Sequence, residues 1–150
     1  MVHFCFLKTR LRNEEIISAI KDYKAISIRP ELASLKGFIG FCFQKAEEDF
    51  VRKENVAKDF AIEWLCRIAC TRNIGKAVEF CLREGEVAGI ASKIKIPKRI
   101  IDAVGTGVKF PNSRKALMGL RTDYAIPAGV NKNLKFENIL KEKCIVAFLE

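Results

Sequence analysis

The chain has 150 residues, 49% hydrophobic and 30% charged, which is enough apolar side chain for one packed core beneath a well-solvated surface. No apolar run approaches the roughly 18 residues that span a bilayer, and the apolar residues 1–7 are too short for a signal-peptide core and lack a basic region before them, so neither a membrane protein nor an exported one is expected. The net charge of +9 is concentrated in residues 93–121, where Lys93, Lys95, Lys98, Arg99, Lys109, Arg114, Lys115 and Arg121 face only Asp102, a balance of +7 that points to a polyanionic partner.

Residues 2–7 fit a short strand, and Asn13 followed by Glu14 and Glu15 reads as a capped helix start ahead of Ile16, Ile17 and Ile20. Ala25–Ile28 fits a second strand. Pro30 is placed to open a helix carrying Leu32, Leu35, Ile39, Cys42, Phe43, Ala46 and Phe50, which Gly37 and Gly40 weaken. Ala57, Phe60, Ala61, Trp64, Leu65 and Ile68 recur at intervals of three and four and mark the surest helix. A break at residues 71–73 precedes the stripe Ile74, Ala77, Val78 and Cys81, after which Gly85 supplies a residue that tolerates the left-handed conformation after a helix.

Residues 87–91 and the alternating Lys93, Ile94, Lys95 and Ile96 read as strand, and Pro97 as the start of a helix that turns Ile100, Ile101 and Val104 inward until Gly105 and Gly107. Asn112 or Ser113 can cap a helix with Ala116, Leu117 and Leu120. Residues 134–140 suggest another short helix before a strand at 144–149. Consecutive helices between Pro30 and Gly85 break the alternation of a doubly wound fold, so the expected architecture is α+β: a single domain over residues 1–150, with a small mixed or antiparallel sheet packed by several helices.

Catalytic and metal signatures are weak. His3 is the only histidine and has no evident orienting acid. Cys66 and Cys70 would share a helix face, but no further ligand completes a zinc set, and with Cys5, Cys42, Cys81 and Cys144 they read as small buried hydrophobes of a reducing cytosol. Gly105, Thr106 and Gly107 lack the Walker and Rossmann contexts and read as a turn. Glu63 and Arg67, spaced i to i+4, read as a surface ion pair of about 0.3–0.5 kcal/mol. No cofactor or metal is expected, and a non-enzyme is favoured.

The segment at residues 56–78 resembles the central helix-turn-helix of the kinase-binding subunits of KEOPS, the complex that makes threonylcarbamoyladenosine in tRNA. Glu63, Leu65, Arg67, Arg72, Asn73, Ile74 and Ala77 carry the likeness, which extends more weakly to residues 35–46 and 136–149. The chain departs from the family at Lys58 and Asp59, where Asn-Ser is common, and at Ala69 and Cys70, where a Ser-Gly pair is common. The resemblance implies a cytoplasmic, non-catalytic subunit that docks on a small atypical kinase/ATPase, supports it, and helps recruit tRNA, including its 3' CCA end, for an associated threonylcarbamoyl-transferase subunit.

On that reading Arg67, Arg72 and Asn73 are candidates for contact with unstacked bases, and Lys93, Lys95, Lys98, Arg99, Lys109, Arg114 and Lys115 for phosphate neutralisation. Ile62, Val78, Ile139 and Leu140 are the candidate anchors for the kinase. Two alternatives are a free-standing basic RNA-binding module and a small enzyme whose site is assembled from distant residues.

Overall fold

The computed structural model describes residues 1–109, 114–126 and 136–149. Strand β1 (His3–Lys8) leads to helix α1 (Asn13–Ile20), a 3-10 turn (Lys21–Tyr23) and strand β2 (Ala25–Ile28). Four helices follow: α2 (Pro30–Ala33), α3 (Lys36–Arg52), α4 (Phe60–Ile68) and α5 (Ile74–Cys81). Then come β3 (Val87–Ser92), α6 (Lys98–Val104), the two-residue β4 (Thr106–Gly107), α7 (Arg114–Asp123) and α8 (Phe136–Ala147).

The sheet is antiparallel throughout, in the order β2-β3-β1-β4, which bears out the α+β expectation. Period-two alternation sends side chains to both faces. Cys5, Leu7, Ala88 and Ile90 face α1 and α6, where Ile16, Ile20, Ile96 and Val104 complete a small core. Phe4, Phe6, Ile26, Ile28 and Ala91 face the larger core, built on Phe38, Ile39, Cys42, Phe43, Trp64, Ile68, Leu140 and Cys144. Covered on both sides, β3 reads as a nearly continuous apolar run. Gly89 on β3 is needed because a Cβ there would run into the Ala33 methyl, so α2 lies directly on the strand.

Several sequence expectations are corrected. The helix opened by Pro30 does not continue: the Ser34 hydroxyl donates to the Glu31 carbonyl at 2.6 Å, and Leu35 leaves helical geometry to bury its side chain. The new start at Lys36 is capped across the fold, where the Phe38 N–H donates to the Glu137 carboxylate at 3.4 Å. Asn13 is the first helical residue of α1 rather than its cap, and Ile17 is exposed. Ala57 is buried but precedes α4, which begins after the Asp59 cap.

None of the described glycines is in the left-handed conformation, so Gly85 does not close α5 that way; the chain leaves through an extended Leu82. Arg83 then fastens it, donating to the Leu11 carbonyl, Asn13 Oδ1 and the Gly85 carbonyl. Residues 93–96 are not strand: after two hydrogen bonds, from Lys93 N to Lys24 O and Ile94 N to Tyr23 O, the chain turns toward Pro97. Residues 105–107 are not a simple turn, because Thr106 and Gly107 pair with Lys8 and Leu7. Gly105 lies so close to the Lys8 carbonyl that a Cβ would stand 2.5 Å from it.

Residues 144–147 continue α8 instead of forming a strand. Leu140 and Cys144 lie i to i+4 on the buried stripe while Ile145 and Val146 turn to solvent, a helical period hidden inside a short apolar run. The expected caps Asn112 and Ser113 lie outside the described residues, as does the expected helix start at Leu134.

Candidate polyanion-binding surface

Strand pairing gathers cations that are far apart in sequence. Ala25 and His3 both lie opposite Ser92, so Lys24, Lys93 and the Met1 amino group meet at one end of the sheet. Lys24 reaches this end through a left-handed turn (φ 46°). Its ammonium stands 5.7 Å from the Phe60 ring centroid, and that of Lys93 stands 5.5 Å from Phe43. The two rings meet edge-on at 5.1 Å. The Met1 amine binds its proton less readily than usual, through its hydrogen bond with Lys93 and the like charge there, with Glu47 opposing.

Lys95, Lys98 and Arg99 are exposed on the segment that follows, and Lys95 lines a cleft of about 210 Å³ with His3, Phe4, Cys5, Ser92 and Ile96. The salt bridges among the described residues take up none of Lys24, Lys93, Lys95, Lys98 and Arg99. Lys24 and Lys93, outside any of those salt bridges and beside the half-buried Phe60 ring that covers the buried Phe43, are suited to phosphates. Neither Lys24 nor the aromatic base is legible in the sequence, because only the pairing of β2 with β3 and the packing of α3 and α4 across the sheet join residues 24, 43, 60 and 93.

The other expected contacts are dispersed. Arg72 and Asn73 are exposed in the α4–α5 turn, but α4 begins at Phe60 under Lys24 and its nine residues carry the chain roughly 13 Å along the helix. Asn73 caps α5, its side-chain oxygen accepting from the Lys76 N–H at 2.9 Å. Lys109 is exposed just past β4, at the far edge of the sheet. The side chains of Arg114 and Lys115 lie outside the described residues.

Arg67 is not a surface arginine. Only 7% exposed, it donates to both Asp49 oxygens, from Nε at 2.7 Å and Nη2 at 2.5 Å, and its guanidinium lies 3.6 Å from the Phe148 ring centroid. Nor does it pair with Glu63, which is fully buried and accepts the Val56 and Ala57 N–H groups at 2.8 and 2.7 Å through Oε2. The i to i+4 spacing suggested a surface pair, but both side chains turn inward to tie α4 to α3 and to the loop before it. Burial raises the proton affinity of Glu63, as does Asp49 beside it, while the two backbone donors oppose the shift.

Of the candidate kinase anchors, Ile62 and Val78 are half-buried against the core, Ile139 is half-buried, and Leu140 is fully buried and cannot meet a partner. The exposed apolar residues Ile145, Val146 and Leu149 form a better surface at the end of α8. Their place off the Leu140–Cys144 stripe is the signal that would have identified them. A separate cleft of about 570 Å³ is lined by Arg29, Phe80, Glu79, Glu84, Glu86 and Asp123, with Arg29 engaged by Asp123 at 2.9 Å and stacked on Phe80. Its acidic rim disfavours phosphate.

No protein-family model matches this chain, and no curated protein matches it. Among the described residues, no group of histidines, cysteines and carboxylates has the arrangement of a metal site, and no helix is long and apolar enough to cross a membrane.

Proposed function

We propose that this protein is a cytoplasmic, non-catalytic subunit of the KEOPS type, which binds a small atypical kinase/ATPase and helps present tRNA to the threonylcarbamoyl-transferase subunit. The observation that carries the reading is the local structure of the resembling segment. Asp59 caps α4 by accepting from Ile62 N, at the position where the family commonly has Ser, and Asn73 caps α5 in the same way. Cys70, where Gly is common, adopts the positive φ of 54° that Gly favours. The departures from the family pattern thus leave the capping and turn geometry of a helix-turn-helix available.

Two surfaces support the division of labour. Lys24 and Lys93 offer charge to tRNA, with the exposed Arg72 at a second point. Ile145, Val146 and Leu149 offer apolar area of the kind that forms the centre of a protein interface. The test is to mix purified protein with its cognate kinase, and with tRNA carrying or lacking the 3' CCA end, following both by light scattering and titration. Kinase association at micromolar concentration together with CCA-dependent tRNA binding is the expected result. No kinase association would overturn the reading. The clustered ammoniums over Phe43 and Phe60 also favour a second reading, a free-standing RNA-binding module, for which tRNA binding without kinase binding is the signature.

A further inference from the structure

The pairing of β1 with β3 sets His3 opposite Ser92 and Cys5 opposite Ile90. Side chains alternate along a strand, so these four share the sheet face that packs with α1 and α6. The cleft of about 210 Å³ that Lys95 lines is built on them, with Ile96 added by the segment after β3 and Ile101 by α6.

The lining divides by chemistry. Cys5, Ile90, Ile96 and Ile101 supply apolar surface, and Ile90 and Ile96 are buried. His3 and Lys95 are exposed and enter no ion pair among the described residues. Ser92 is only 2% exposed, and no hydrogen bond among the described residues engages its hydroxyl. Buried hydroxyls almost always have a partner, and one without a protein partner that lines a cleft is placed to bond a ligand there.

We propose that this cleft binds a small aliphatic monocarboxylate, its charged end held by Lys95, His3 and Ser92 and its hydrocarbon body resting on Cys5, Ile90, Ile96 and Ile101. The volume fixes the size: at about 30 Å³ per water it equals roughly seven waters, so a ligand of about seven non-hydrogen atoms fills it. The polar side chains fix the sign. An ammonium, an imidazole N–H and a hydroxyl can all donate, and an ionised carboxylate only accepts. No carboxylate is among the described residues that line the cleft. One lysine balances one negative charge, whereas a phosphate dianion would carry a second charge onto an apolar floor at a larger desolvation cost. The exposed Lys93, Lys98 and Arg99 lie nearby in the chain, and their field draws anions toward this end of the sheet. This ligand site lies beyond the KEOPS reading and does not depend on it.

Cys5, half-buried in the cleft, is a built-in reporter, and Cys70, half-buried against the larger core, is its control. The experiment is to label the purified protein with N-ethylmaleimide in the presence of sodium isovalerate, isovaleramide, inorganic phosphate or sodium chloride at matched ionic strength. Peptide mass spectrometry then follows each cysteine separately. Isovalerate at millimolar concentration is expected to slow labelling of Cys5 roughly fivefold or more and to leave Cys70 unchanged, with the amide and phosphate far less effective. Saturation-transfer NMR on the isovalerate methyl groups reads the same binding should Cys5 react too slowly to follow. Lys95→Ala and Ser92→Ala remove no ion pair or side-chain hydrogen bond of the fold, and each should raise the isovalerate concentration needed for half-saturation by about tenfold. Absence of both protection and saturation transfer at tens of millimolar, equal binding of isovaleramide or phosphate, or unchanged affinity in Lys95→Ala would each overturn the proposal.

Discussion

Replacing Arg67 by methionine separates a structural role from an RNA-binding one. Methionine keeps much of the apolar stem, so the substitution chiefly removes the guanidinium and leaves Asp49, 5% exposed, without its cation and beside the buried Glu63. Breaking one side of a buried ion pair costs about 3–5 kcal/mol, and loss of the contact with the Phe148 ring adds to it. For a chain of this size each kcal/mol lowers the midpoint by about 2–4 °C, so a fall of roughly 6–20 °C is expected. Urea unfolding of wild type and variant at constant m gives the free energy directly. The double variant Arg67→Met with Asp49→Leu should recover much of the loss, because no charge is then left unpaired. A cost below about 1 kcal/mol for Arg67→Met, together with a tenfold or greater fall in tRNA binding, would refute the structural role of this arginine.

Three further outcomes are expected. Glu63→Ala strands the Val56 and Ala57 N–H groups and should cost on the order of 2–4 kcal/mol, whereas Glu63→Gln keeps an acceptor for them and should cost far less. Because Glu63 has a raised proton affinity in the fold, the native state holds a proton that the unfolded chain releases from about pH 4.3 upward. Its contribution to stability therefore falls as pH rises from there through the folded value, and unfolding free energy measured against pH should lose this slope in Glu63→Gln. Leu140→Ala should destabilise by about 2–5 kcal/mol in chemical unfolding, while Val146→Glu, at a 59% exposed position, should change stability by no more than about 0.5 kcal/mol and weaken kinase association in titration. Lys24→Ala with Lys93→Ala should weaken tRNA binding and reduce the slope of log affinity against log salt by about 1–2, as phosphate contacts are lost.

What the sequence determined by itself was local. The strand at residues 25–28, the helical stripe through Trp64 and Ile68, and the helix start at Ile74 after the break at residues 71–73 were legible because burial of one face imposes a period. The α+β class followed from the order of those elements. Only the tertiary structure decided where charge and apolar surface lie. Glu63 and Arg67 have the spacing of a surface pair, yet the loop before α4 and Asp49 on α3 draw both inward, since a buried charge must be met by partners wherever they lie along the chain. The run at residues 144–147 is equally apolar to a strand and a helix, and packing against α3 is what turns Cys144 inward and Ile145 outward. Lys24, Phe43, Phe60 and Lys93 share one surface because β2 and β3 pair there and α3 and α4 lie across the sheet, a juxtaposition that no window of sequence contains.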